Sequence, residues 1–256
     1  MSAFPTFEQL LAMTRLLGEP ARDLVIIGEG NTSARCDDAH FWVKASGHSM
    51  TDIGPGGLVQ VRFAPILAFL DGADHGAAAL ADAVSAAKVD ADAPRPSIEV
   101  LFHAAVLSDT ADDGVTTLAH THPVALNSIL CSTRAEQYAA RRIFPDEVVL
   151  CGPCSAFVPY TDPGLPLALA IRAQVRAYRA AWGEAPKVVL LANHGLITLG
   201  RTPQEAVNIT LMAVKAARIF IGACSVGEPT YMTDDDIGHI WRRPDEIYRR
   251  RLFVQG

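Results

Sequence analysis

Residues 187–192, Lys-Val-Val-Leu-Leu-Ala, are the most apolar strand-like run of the chain. Asn193-His194-Gly195 breaks the run before it resumes through Leu196, Ile197 and Leu199. A polar interruption inside an apolar run is unfavourable unless its groups find partners. The run is far too short to cross a membrane, which takes about 20 apolar residues in a helix. It therefore reads as a buried strand whose far end carries His194. That histidine is either hydrogen-bonded in a core or placed as a ligand at a strand end.

Strand-like and helix-like segments alternate around this run. Phe7, Leu10, Leu11, Thr14 and Leu17 fall at helical spacing and predict a helix over 7–17. Residues 24–27 form a short β-rich run that ends in the polar, glycine-rich turn Gly28-Glu29-Gly30-Asn31-Thr32-Ser33. Strands are expected over 41–45, 58–63, 114–120 and 147–150, with a Gly/Pro loop at 54–57. Residues 71–92 show no strong periodicity and read as a surface excursion. Pro96 suits the first position of a helix over 96–107. Further helices are expected over 124–131 and 162–182, from Thr202-Pro203-Gln204-Glu205 to about residue 222, and near 244–252. With no visible linker, the pattern predicts one α/β layered domain over 1–256.

Hydrophobic residues make up 50% of the 256 and charged residues 20%, which excludes disorder as the main state. A net charge of -6 gives no basic footprint for nucleic acid, yet leaves small anionic substrates open. Five scattered cysteines and an N-terminus without a secretory pattern point to a reducing cytoplasm. Cys151-Gly152-Pro153-Cys154 lacks the context of a thioredoxin-like redox pair, and no second Cys-x-x-Cys completes a zinc site. Gly28-Glu29-Gly30 lacks the third glycine of a dinucleotide fingerprint. The acidic run 234–236 and the arginines at 242–243 and 249–251 suggest a solvated face, a subunit contact or an active-site rim.

The chemistry concentrates in His120-Thr121-His122-Pro123, at the end of the strand over 114–120. Residues two apart on a strand share a face, so His120 and His122 form either a ready pair of metal ligands or two polar residues at a terminus. With His194 they would make a three-histidine site with one position open. Glu99, in the first turn of the helix from Pro96, is favoured in its ionised form by the helix end. Taken alone it reads first as an ordinary first-turn acid. His103, one turn on and on the same face, reads as structural, or at most as a group behind the ligands.

Gly30-Asn31-Thr32-Ser33, Ser46-Gly47, Pro96-Ser97-Ile98-Glu99, His120-Thr121-His122-Pro123 and Asn193-His194-Gly195 occur in the order and spacing of the class II aldolase/adducin family, which this chain resembles over about residues 8 to 222. The resemblance implies an α/β/α fold on a mostly antiparallel central sheet, assembled as a homotetramer with active sites near subunit interfaces. It implies one divalent ion per chain, zinc first and manganese or cobalt as alternatives, held by His120, His122, His194 and Glu99. It makes Glu99 the acid/base and Asn31, with Gly30, the loop facing an enediolate. Ser46, Gly47 and Ser97 match the pocket for the substrate's anionic end.

Two positions depart from the sugar-phosphate pattern. Gly28 stands where those aldolases usually have threonine, and Ile98 where they have a second serine, so two phosphate-binding hydroxyls are absent. Lys44 and His48, which flank Ser46-Gly47, could supply charge instead; Lys44 is otherwise a solvated strand residue. The expected activity is retro-aldol cleavage of a small hydroxy-carbonyl compound through an enolate held at the metal. Decarboxylation of a β-keto acid stands second, and a non-enzymatic adducin-like scaffold third. Tyr138 and Tyr160 are weak candidates for a second acid. The segment 223–256 is expected to form a subunit contact or rim.

Overall fold

A computed structural model describes residues 4–254. It opens with α1 (Phe7–Leu17), started by a capping box in which the Thr6 hydroxyl accepts from the Gln9 N–H and the Gln9 side chain accepts from the Thr6 N–H. Three strands follow: β1 (Asn31–Arg35), β2 (His40–Lys44) and β3 (Leu58–Arg62). Helices α2 (Phe63–Asp71), α3 (Ala77–Ala87) and α4 (Val100–Asp109) lead to β4 (Thr117–Thr121). Short helices α5 (Val124–Leu130), α6 (Ala135–Ala140) and α7 (Pro145–Cys151) precede β5 (Ala156–Val158) and the long α8 (Leu165–Trp182). The chain continues through β6 (Val188–Leu191), β7 (Gly195–Gly200), α9 (Pro203–Val226), α10 (Asp234–Arg242) and α11 (Pro244–Val254).

The seven strands form one sheet in the order β3-β2-β1-β4-β7-β6-β5. Every neighbouring pair is antiparallel except β5 with β6. Strand periodicity divides the core into two halves. Leu118 and Phe41 point to one face and pack with α2, α3, α4 and α8. Ala119 and Ala34 point to the other face, under α1 and α9. The expected α/β/α architecture on a mostly antiparallel sheet is the one observed.

Several local expectations differ from the structure. Residues 24–27 form no strand. They make a turn in which Ile27 takes φ +55°, and Ile26 and Ile27 stand 64% and 87% exposed. Their β-branched composition suggested a strand, but the segment instead lends the Leu24 carbonyl to the His122 N–H at 2.8 Å. The polar turn at 28–33 is shorter than read, because Asn31 already begins β1. Residues 147–150 are helical: Pro145 starts α7, and buried Glu147 accepts from the Ile143 N–H at 3.0 Å and lies 3.8 Å from Arg142. A four-residue apolar run does not distinguish strand from helix. Residues 71–92 contain α3, which buries only Val84 and Ala87 and so leaves little periodic signal.

The helix expected from Pro96 begins later, at Val100. Pro96 is captured in a bridge with Ala45, and the Ser97 N–H donates to the Lys44 carbonyl at 3.3 Å. This pairing with the end of β2 keeps Pro96 and Ser97 out of the helix, and Ile98 and Glu99 form the turn that leads into it. One helix among the described residues, α9, is long and apolar enough to cross a membrane. Its Ala206, Ile209, Ala213, Ala217 and Phe220 are buried against the rest of the fold, as in a core helix. Leu118 sits at the centre of the sheet with no exposed surface. Leu118→Ala is expected to cost about 2–5 kcal/mol, read from the shift of a urea unfolding midpoint.

A candidate metal and acid–base centre

The site gathers at the end of β4, where its partners on both sides converge. Asn31 of β1 lies opposite His120, and His120 lies opposite Ile197 of β7. Asn31 and His120 therefore share the face that looks toward α4. His120 is fully buried, with its ring edge-on to Phe102 of α4 at 5.6 Å between centroids. Its Nδ1 lies 3.0 Å from the Leu196 carbonyl, which can only accept, so Nδ1 carries the proton and Nε2 is free to ligate.

His122 follows β4, and its Nε2 lies 3.0 Å from the Nε2 of His120. His194 arrives through the turn between β6 and β7. Asn193 there adopts φ +54°, a left-handed conformation that asparagine tolerates better than most residues. The His194 N–H donates to Leu191, and the His194 carbonyl accepts from the Asn127 side chain at 2.9 Å. The polar break in the apolar run is thus a satisfied hairpin turn.

Gly195 makes the convergence possible. A Cβ there would stand 2.6 Å from the Thr121 carbonyl and 2.7 Å from His122 Cδ2. Gly30 plays the same part on the other side. It has φ +66°, and a Cβ there would meet the His120 carbonyl at 2.7 Å.

The three histidine ligand atoms lie within 4.8 Å of one another. Glu99 Oε1 is 3.5 Å from His120 Nε2 and 3.7 Å from His194 Nε2. Glu99 Oε2 accepts from the Asn31 side-chain amide. Burial opposes charge on Glu99, but His120 and the Asn31 amide outweigh it and hold the carboxyl well below the usual range. Burial also opposes charge on His120; Glu99 and the Leu196 carbonyl outweigh it, and its pKa is raised. Burial and the neighbouring imidazoles push His122 down to about 3 and His194 to about 4. Three imidazoles converging on an ionised carboxylate are the donor set of a divalent cation of the borderline kind.

Of the candidate anion-binding residues, Ser97 touches the cluster directly: its hydroxyl accepts from the Glu99 N–H at 3.3 Å. Ser46 and Gly47 are exposed, Ser97 is half-buried, and Ile98 is partly exposed without a hydroxyl to offer. Lys44 is buried rather than solvated. Its Nζ donates to the His48 carbonyl at 2.6 Å, the Gly28 carbonyl at 3.4 Å and the Ala45 carbonyl at 3.5 Å. It ties the Gly28 and His48 turns together in place of reaching into solvent. Tyr138 packs against Phe220 in the α6–α9 layer, and Tyr160 is exposed with its hydroxyl donating to Asp162. Neither stands with the cluster. Burial pushes the Cys151 thiol up to about 12 and raises Cys154, the opposite of an activated redox pair.

Sequence reasoning missed Glu29 and Asn127. Glu29 Oε1 lies 3.8 Å from His122 Nδ1, and both residues line a cleft of about 440 Å³ that His122 opens onto. The place of Glu29 between two turn glycines was the available signal.

Residues 8–221 match the model of the class II aldolase and adducin N-terminal domain. YgbL from Klebsiella pneumoniae, whose description leaves aldolase, epimerase and decarboxylase activities open, superposes with a TM-score of 0.70. It is 23% identical, and the match covers 92% of this chain and 99% of that one. An L-fuculose 1-phosphate aldolase gives a TM-score of 0.68 at 20% identity, covering 94% of this chain and 98% of that one. The uncharacterized oxidoreductase YuxG of Bacillus subtilis is 28% identical over 222 residues, 84% of this chain; the chain spans 29% of the length of that protein.

Two outcomes follow from the geometry. Gly195→Ala is expected to cost about 1–3 kcal/mol by overpacking and to weaken cation binding, both measurable on one preparation by thermal melting and metal titration. The raised pKa of His120 means that the metal-free protein holds a proton there below that pKa, and an entering cation must displace it. Affinity is therefore expected to fall as pH drops through this value, with a proton released on binding below it. Calorimetry in two buffers of different ionisation enthalpy reads the proton; equal heats in both would contradict it.

Proposed function

Because the chain belongs to the class II aldolase and adducin N-terminal domain family, we propose that it is a divalent-metal-dependent carbon–carbon lyase. Its substrate would be a small hydroxy-carbonyl compound with an anionic end, cleaved by a retro-aldol reaction. The observation that carries this reading is the convergence of His120, His122 and His194 on the carboxylate of Glu99. His120, His122 and His194, with Glu99, would hold one divalent ion, zinc first, with manganese or cobalt as alternatives. When bound, that ion supplies Lewis-acid polarisation of substrate oxygens.

The remaining work falls to the chain's own side chains. Glu99 is held ionised, so it can accept a proton from a substrate hydroxyl as the carbon–carbon bond opens and return one to the enolate carbon. The Asn31 amide, with Gly30 giving backbone access, orients Glu99 and offers N–H groups where negative charge develops. Ser46, Gly47 and Ser97 would receive the anionic end, with buried Lys44 holding the Gly28 and His48 turns around it. This pocket has Gly28 and Ile98 where hydroxyls would favour phosphate, which supports a second reading: decarboxylation of a β-keto acid. A non-enzymatic scaffold would have no use for the complete histidine set.

The segment after residue 222 belongs, in this reading, to the same domain. It packs onto α7 through Ile237 and Ile240 and would face a neighbouring subunit in a homotetramer. A cytoplasmic setting is proposed with it.

Metal content measured by mass spectrometry on wild type beside His122→Ala tests the proposal. About one divalent ion per chain, lost in the variant, is expected. No ion in either protein after reconstitution would overturn the enzyme reading. With a substrate in hand, Glu99→Gln is expected to lower kcat by about 10²–10⁴ while leaving the fold intact by circular dichroism.

A further inference from the structure

Four side chains form a single line of hydrogen bonds beneath the histidine cluster. The Ser33 hydroxyl lies 2.6 Å from His103 Nδ1. His103 Nε2 meets Asn31 Oδ1, and Asn31 Nδ2 meets Glu99 Oε2. Ser33 and His103 have no exposed surface, and Asn31 has almost none. Water therefore does not compete for these contacts.

The polarity of the line follows from its end. Asn31 Nδ2 is the atom that meets Glu99 Oε2, and an amide nitrogen only donates. Asn31 Oδ1 then faces His103, and His103 must carry its proton on Nε2. His103 Nδ1 is left as an acceptor, and the Ser33 hydroxyl donates to it. Burial pushes His103 down to about 3, in keeping with a neutral ring. Asn31 and Ser33 occupy alternate positions of β1 and so share the face toward α4. His103 lies one turn into α4 from Glu99, so the two members of the line that do not come from β1 both come from the N-terminus of α4.

We propose that His103 is a positioning residue: as its Nε2–H tautomer it locks the Asn31 amide with nitrogen toward Glu99, so that Glu99 offers the histidine cluster one oxygen, Oε1. The inference rests on the reading of Glu99 and Asn31 given above, and adds to it the group that sets their orientation. A flipped Asn31 would put its oxygen against the carboxylate, and both Glu99 oxygens would be free to swing. A histidine that merely filled space would have no reason to hold one tautomer or to influence the cluster.

Two measurements test this. Long-range ¹H–¹⁵N correlations on the metal-free wild type are expected to show His103 neutral and protonated at Nε2; protonation at Nδ1 would overturn the proposal. Ser33→Ala, which removes the donor to Nδ1, is expected to let the second tautomer appear. The second measurement loads the protein with Co²⁺ and compares its d–d absorption with that of His103→Leu and His103→Gln. Leucine is expected to shift the bands, and glutamine, whose amide can donate to Asn31, to bring them back toward wild type. Coincident spectra for wild type and His103→Leu would overturn the proposal. If Co²⁺ does not bind the wild type, the metal reading fails, and the tautomer measurement alone decides the role of His103.

Discussion

The antiparallel pairing of β4 with both its neighbours carries the site. Its register sets Asn31 across from His120 on one side and Ile197 across from it on the other. A slip of one residue would turn His120 toward α9 and Thr121 toward Glu99, exchanging the whole set of facing groups. The pairing is secured by core on both faces, with Leu118 and Ala119 each fully buried in a different half. The fold thus spends its strongest order, the middle of the sheet, on the groups whose placement tolerates least error. His194 depends on it less directly: a hairpin turn delivers it, and Asn127 of α5 steadies its carbonyl.

Burying imidazoles and a carboxylate together is unfavourable unless their charges and hydrogen bonds balance. Here Glu99 is shared among His120, His194 and Asn31, while His120 is anchored by a carbonyl that fixes its proton. Lys44 shows another way of placing charge. Its ammonium is surrounded by backbone carbonyls, so its influence on the pocket is that of a fixed field, not of a hand that grasps a ligand. Its three carbonyl contacts match the three hydrogens of the ammonium group.

Much of this was legible in the residues. His-x-His followed by proline announces a shared face at a strand end, and the structure puts His120 and His122 there. The interrupted apolar run foretold a satisfied polar break, and a hairpin turn provides it. The legible part was what period and spacing control. The start of α4 was not legible, because Pro96 is held by Ala45, a contact between segments about fifty residues apart. β1 was hidden because Asn31 and Ser33 look like turn residues; only the buried polar line to His103 explains them inside a sheet. Ile26 and Ile27 misled in the opposite sense, since apolar residues suited to a strand stand exposed on a turn. The role of Lys44 as a staple needed the positions of three carbonyls that no pattern records.

Gly195 has one further consequence, for how such a chain can change over generations. Every single-base change in a glycine codon that alters the residue introduces a larger one or ends translation. At this position even one added carbon meets the Thr121 carbonyl and the His122 ring. Nearby positions have conservative neighbours one mutation away, whereas this one has none. The hairpin that delivers His194 is therefore closed to gradual drift at its tightest point, whereas a Cβ at Gly28 meets nothing within 4 Å and the exposed Ser46 and Ile98 can change without such a clash.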